Sequence, residues 1–288
     1  MSTAPHRPAV LMVLGSCASL QIGAALAARL FPATGSAGAT LLRLGLAAAV
    51  LLVAARPAVR AWRRDQWRAV LLLGVTLAGM NSFFYAAIAR IPLGIAVTIE
   101  FLGPLTLAAI LSRRGRDFLW VILAATGVLA LGWTGSDTAA LDPLGVGYVL
   151  VAAVFWALYI LASAKTGAAV AGQGGLAVAM AVGALLLVPS GLAGASAALT
   201  SPRLLLIAVG TALLASVIPY TLEFAALRRL PQQTFGVLLS LEPAVAAAAG
   251  WLLLSQSMAP QTAAAVTVVV LASIGSTVSA GRRPVTIS

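Results

Sequence analysis

This sequence predicts an all-α integral membrane protein of ten transmembrane helices, and three observations carry that prediction. The first is composition: 61% of the 288 residues are hydrophobic, 9% are charged and the mean hydropathy is +1.04, whereas a soluble domain carries about 25% charged residues. The second is segmentation. Apolar stretches fall at 8–30, 36–56, 67–89, 93–112, 117–134, 142–164, 175–195, 203–227, 232–254 and 260–280, each long enough to cross about 30 Å of hydrocarbon at about 1.5 Å per residue. The third is periodicity. Ala, Leu and Gly dominate these stretches without period-2 alternation, and a backbone with no access to water in the bilayer must close its hydrogen bonds within helices.

The formal charge of +11 would suggest nucleic acid in a soluble chain, but here the basic residues sit in short clusters between apolar runs, so no nucleic-acid partner is expected. They act instead as topology signals. With the N-terminus inside, the cytoplasmic loops carry Arg7, Arg56, Arg60, Arg63, Arg64, Arg68, Arg113, Arg114, Arg116, Lys165, Arg228, Arg229, Arg282 and Arg283, which is fourteen residues, against Arg29, Arg90 and Arg203 on the far side. Ten spans then put both termini in the cytoplasm. The first stretch follows Arg7 as a signal peptide would, but it is long for one and nine more follow, so it is expected to be retained. Cys17 is the only cysteine, which excludes a disulfide within the chain and reads as a small packing residue.

Shifting the chain by 139 residues lays Ala86-Ala87-Ile88-Ala89-Arg90-Ile91-Pro92 over Ala225-Ala226-Leu227-Arg228-Arg229-Leu230-Pro231, and Pro104 over Pro243. The expected division is a first repeat over 1–135 and a second over 136–288. Each holds five spans, an odd number, so the second enters the membrane with opposite polarity: Arg90 lies outside and Arg229 inside. Inverted repeats of this kind build secondary transporters, with the substrate site near the midplane between the halves. There is no Walker-type phosphate loop, which argues against ATP hydrolysis.

The motifs Gly79-Met80-Asn81, Pro92-Leu93-Gly94-Ile95-Ala96-Val97, Glu100-Phe101-Leu102-Gly103-Pro104, Pro219-Tyr220-Thr221-Leu222-Glu223 and Leu241-Glu242-Pro243-Ala244 resemble the EamA-domain branch of the drug/metabolite transporter superfamily, most closely its threonine/homoserine exporter type. The resemblance extends over the whole chain. It implies two inverted five-helix halves around a central cavity and proton-driven efflux of small amino acids from a bacterial cell across its inner membrane. The matching motif residues are Arg43, Asn81, Glu100, Pro104, Glu223, Glu242 and Pro243.

The residues themselves point the same way. Every Asp is in a loop, whereas Glu100, Glu223 and Glu242 are all in predicted spans. A carboxylate at the bilayer centre costs about 2.5–3.5 kcal/mol on insertion scales, so such groups face a wet cavity or a partner. Glu242 lies about 16 Å and Glu100 about 12 Å into their spans at the helical rise. Glu223, a turn or so from Arg228, is placed either to function or to snorkel. Pro104 and Pro243 each leave the carbonyl four residues earlier without its N–H partner, at symmetric sites, and Pro219 sits beside Tyr220. Arg43 is open to three readings: snorkelling, a pair with Glu100, or substrate contact. Asn81 with Tyr85, and Trp156 with Tyr159, each share a helix face, as packing pairs or as cavity lining together with Tyr220.

The function expected is secondary transport of a small metabolite such as threonine or homoserine, with protons and the lipid bilayer as the other partners and no cofactor or metal. The alternatives are the same scaffold carrying other amino acids or drug-like cations, a channel, or a membrane-embedded enzyme. An enzyme is disfavoured because the only His is His6 and no span contains Asp, which removes Ser–His and paired-Asp hydrolysis. The topology is testable directly. Reporter fusions after Arg283 and within 56–68 should read as cytoplasmic and fusions within 137–142 as external; an external reading after Arg283 would mean a miscounted span.

Overall fold

The computed structural model describes residues 6–112, 115–133, 141–227, 229–230 and 232–281, and the regular structure in them is entirely helical. The first half comprises α1 (His6–Ala28), α2 (Phe31–Ala55), α3 (Arg64–Ile88), α4 (Leu93–Glu100), α5 (Leu102–Ser112) and α6 (Phe118–Trp133). The second comprises α7 (Pro143–Ala169), α8 (Gly174–Leu199), α9 (Pro202–Ala212), α10 (Ile218–Leu227), α11 (Gln232–Leu239), α12 (Glu242–Leu254) and α13 (Pro260–Gly281). A π-helical turn over Leu213–Val217 joins α9 to α10. Nine spans among the described residues are long and apolar enough to cross a membrane, with α4–α5, α9–α10 and α11–α12 each forming one span. The tenth, α6, is apolar over Phe118–Leu129 but shorter. The expected boundary at 135/136 lies outside the described residues.

Local chemistry explains where the helices begin. Asp142 accepts a hydrogen bond from the Leu144 N–H (2.9 Å) with Pro143 following it, and Ser201 caps α9 ahead of Pro202; both are N-cap residues with Pro in the first turn. The Gln66 side chain accepts from the Arg63 N–H at the start of α3 (2.8 Å). The sequence places the second span at 36, whereas α2 begins five residues earlier. Gly35, at φ +64°, breaks the run there, a backbone state that glycine adopts without the Cβ penalty.

The 139-residue shift carries α4 (93–100) onto α11 (232–239) end for end, α1 onto α7, α2 onto α8, α3 onto the α9–α10 span, α5 onto α12 and α6 onto α13. Packing follows the same exchange. α3 lies on α7 as α1 lies on α10, α5 touches α7 as α12 touches α1, and α2–α8 and α6–α13 straddle the pseudo-symmetry axis. Two five-span halves thus interlock as an inverted repeat, and each helps to build the other's cover.

The α2–α8 seam is built from small residues. A Cβ on Gly38, Gly191 or Gly194 would fall on the backbone of the opposing helix, the close approach that small residues allow between membrane helices. Cys17 is buried in a cluster with Val13, Ala226 and Phe235, as a packing residue should be. At the end of the bundle where α3 turns into α4, Arg90 pairs with Asp142 (2.8 Å) and lies over the Tyr148 ring.

Gly194→Val should overpack the α2–α8 seam at a cost of about 1–3 kcal/mol, lowering the melting temperature of detergent-purified protein. Gly147→Val, on an exposed face with open space around it, should leave the melting temperature unchanged. A second prediction concerns the loop pair. Hydrogen bonding from Arg90, then from the Leu144 N–H, holds the Asp142 carboxyl below its usual range. A depressed folded-state value stabilises above the ordinary aspartate range and is lost as pH falls through the lowered value. The stability difference between the native protein and Asp142→Asn should therefore be present at neutral pH and vanish in strong acid, measured as paired melting temperatures.

Candidate functional site

Two spans are broken near their middles. α4 stops at Glu100 and the chain resumes as α5 at Leu102; α11 stops at Leu239 and the chain resumes as α12 at Glu242. Each restart carries a proline within its first three residues, Pro104 or Pro243. A helix-interior proline removes the N–H that would close the preceding turn, and the breaks fall where those prolines predict them.

The broken spans cross. On one side of the crossing α4 packs tightly on α12: a Cβ on Gly94 would meet the Ala247 backbone, and the Leu93 N–H donates to Gln256 Oε1 (3.0 Å). On the other side α5 and α11 make no comparable contact, and a cavity of about 350 Å³ opens between them. It extends along α5 as far as Ala108, along α11 to Gly236 and along α13 to Thr277. Pockets of roughly 300–1,000 Å³ with few convergent polar groups are the usual form of small-molecule sites.

Of the residues singled out from the sequence, Arg43, Asn81, Glu100, Pro104, Trp156, Tyr159, Pro219, Tyr220, Glu223 and Glu242 all line this cavity. Glu100 and Glu242 are buried, at 7% and 6% exposure. Glu242 accepts a hydrogen bond from Gln21 Nε2 (3.0 Å), and Glu100 lies within electrostatic reach of Glu242 and Arg43. Trp156 stands edge-on to Phe101 at 4.9 Å, beside the α4–α5 break. Asn81 donates to the Leu77 carbonyl of its own helix (2.8 Å).

Four residues are placed in ways that spacing along one helix does not fix. Arg43 neither snorkels nor forms an ion pair with Glu100; at 5% exposure it donates from Nη2 to the Ala215 carbonyl (2.6 Å), from Nε to Ser216 Oγ (3.0 Å) and from Nη1 to Tyr85 Oη (3.2 Å). Tyr85 is fully buried behind Arg43 and is not part of the lining. Glu223 turns inward and accepts from Ser16 Oγ (2.6 Å). Pro243 breaks its helix without reaching the cavity.

The π-helical turn explains the position of Arg43. Pro219 has no N–H to offer the Ala215 carbonyl, and the Ile218 N–H bonds to Leu213 rather than to Leu214. Two carbonyls thereby lose their usual donors. Ser19 Oγ supplies one to Leu214 (2.7 Å) and Arg43 supplies one to Ala215, as a buried backbone acceptor requires. Arg43 has five donor hydrogens, and these three bonds leave two on a guanidinium that faces the cavity.

Sequence reading missed Gln21, Ser16, Ser19 and Ser216, together with the cavity-lining Ser273 and Ser276. Gln21 had a signal, being an amide deep in an apolar stretch. The serines had none, because isolated serines are common in membrane helices and only the tertiary fold shows which meet a carbonyl. Among the described residues no group of His, Cys, Asp and Glu could hold a metal ion.

Comparison with known proteins agrees with this architecture. The model of the EamA-like transporter family matches residues 143–278. The threonine/homoserine exporter RhtA of Escherichia coli is 40% identical over 270 residues, covering 94% of this chain and 91% of its own, and RhtA of Salmonella typhimurium is 39% identical over 275 residues, covering 96% and 93%. A solved crystal structure 18% identical in sequence shares the fold, with a TM-score of 0.65 over 96% of this chain and 99% of its own. Apolar spans of which two are broken and cross around a buried-carboxylate cavity, together with relatives at this identity and coverage, make the chain a member of the EamA-like transporter family of the drug/metabolite transporter superfamily.

Proposed function

We propose that this protein exports small hydroxy amino acids, threonine and homoserine, across a bacterial inner membrane, in exchange for protons and with both termini in the cytoplasm. The observation that carries this reading is the joint presence, in one cavity between crossing broken helices, of Glu100 and Glu242 with a partly committed Arg43. A zwitterion needs this set: carboxylates for its ammonium and guanidinium N–H groups for its carboxylate. The likeness to exporters named for threonine and homoserine supports the substrate class.

In this orientation the α4–α12 crossing closes the external side and the cavity opens toward the cytoplasm, at the end of the bundle where α5 ends and α11 begins. The repeat supplies the other arrangement: the α4–α12 contact parts and its symmetry mate, α5 on α11, forms. Substrate bound from the cytoplasm then leaves on the far side. Protonation of Glu242 competes with ammonium binding at the same oxygens, so an inward proton gradient favours release outside. Asn81, Tyr159, Trp156 and Tyr220 shape the remaining wall, and Glu223, held by Ser16, is the third acid on that path.

Glu242→Gln and Glu100→Gln should each insert normally, since removing a charge eases insertion. Each should lower threonine efflux at least tenfold, the loss of a charged hydrogen bond being roughly 1.5–3 kcal/mol. Radiolabelled threonine efflux at matched protein levels is the measurement. Two variants that export threonine as well as the native protein would overturn the assignment of the amine site. A proteoliposome that counterflows bulky organic cations but no amino acid would overturn the substrate class.

A further inference from the structure

Gln21 is 2% exposed, lines the cavity from the middle of α1 and stands in none of the motifs discussed above. Its Nε2 donates to Glu242 Oε1 (3.0 Å), and its Oε1 has no donor among the described residues. An ionised carboxylate only accepts, so it fixes the amide with its NH₂ toward Glu242 and its oxygen turned away. A buried acceptor left without a donor costs about 1–3 kcal/mol, and such an atom on a cavity wall calls for a ligand that brings the missing hydrogen.

We propose that Gln21 is a substrate-binding residue whose Oε1 accepts a hydrogen bond from a primary ammonium group held by Glu242; the inference rests on the amino-acid reading above and deepens it. The planar amide holds Oε1 beside Nε2, so a donor lodged against the Glu242 carboxylate is within reach of both. A primary ammonium carries three donor hydrogens. Glu242 and Glu100 take two and Gln21 takes the third. A hydroxyl, with a single hydrogen, cannot satisfy Glu242 and Gln21 together. The opposing repeat offers no substitute, because the 139-residue shift places Ile160 at the position of Gln21.

The test uses purified full-length protein and competition against labelled threonine by three ligands of one carbon skeleton: threonine, α-aminobutyrate, which lacks the hydroxyl, and α-hydroxybutyrate, which lacks the ammonium. Gln21→Met should weaken threonine and α-aminobutyrate by about tenfold or more, the size of a lost charged hydrogen bond, and leave α-hydroxybutyrate unchanged. Equal weakening of all three would make Gln21 a support for Glu242 alone, weakening of threonine only would make it a reader of the hydroxyl, and no weakening would remove it from the site; each outcome overturns the proposal. A native protein that binds threonine no better than α-hydroxybutyrate overturns the amino-acid reading and this inference with it, whereas a native preference that survives in Gln21→Met overturns the inference alone. If Gln21→Met does not fold, Gln21→Lys decides: its tethered ammonium pairs with Glu242, so it should fold and bind no threonine, and native-like threonine binding would overturn the proposal.

Discussion

The bond from Arg43 to the Ala215 carbonyl ties the two halves of the molecule together at its centre. It exists because a bilayer offers no water to a backbone group that has lost its helical partner. The interruptions at Phe101, at Ser240–Leu241 and through Leu213–Val217 lie around the cavity. The nearby polar side chains come from other helices: Ser19 reaches the Leu214 carbonyl, Arg43 reaches Ala215, and Ser240 lies against Ser273 (2.7 Å). Breaks that would be intolerable against lipid are thereby held in protein, and the same breaks open the space in which a polar ligand fits. Arg43 is itself positioned by this arrangement, with Tyr85 as a fully buried backing beneath it, its ring centroid 5.3 Å from the guanidinium carbon.

The backbone repeats, but the chemistry does not. Under the 139-residue shift Glu100 corresponds to Leu239, Glu242 to Gly103, Arg43 to Val182 and Gln21 to Ile160. The two acids therefore occupy positions three apart in the frame of the repeat, about one helical turn. One half contributes Arg43, Gln21 and Glu100, and the other contributes Glu242 and Glu223. A duplicated scaffold supplies the paired broken helices, while a single polar cluster that the repeat does not duplicate lies between them.

How much of this was legible in the sequence depends on the range over which each signal acts. The spans are set by hydropathy over some 20 residues, and the breaks by prolines acting four residues back; α4 and α11 end, and α5 and α12 begin, within four residues of Pro104 and Pro243. The carboxylates were visible because charge in an apolar run is costly wherever it faces. Partners were not visible, since spacing along one helix says nothing of the helix opposite. Asn81 and Tyr85 share a face four residues apart, yet one lines the cavity and the other lies fully buried behind Arg43. The π-helical turn had no sequence mark of its own beyond Pro219, and without it neither the place of Arg43 nor the use of Ser19 follows.

The α4–α12 contact rests on a glycine that the repeat does not duplicate. Gly94 lets α4 approach the backbone of α12 at Ala247, and the Gln256 side chain caps the Leu93 N–H at the start of α4. Under the 139-residue shift Gly94 corresponds to Gln233 and Ala247 to Ala108, so the sequence does not repeat this glycine in the other half. Helices with a bulkier residue at the contact pack farther apart, because close approach in membranes depends on small side chains. Parting α4 from α12 therefore requires a ligand that binds the parted arrangement better than the packed one.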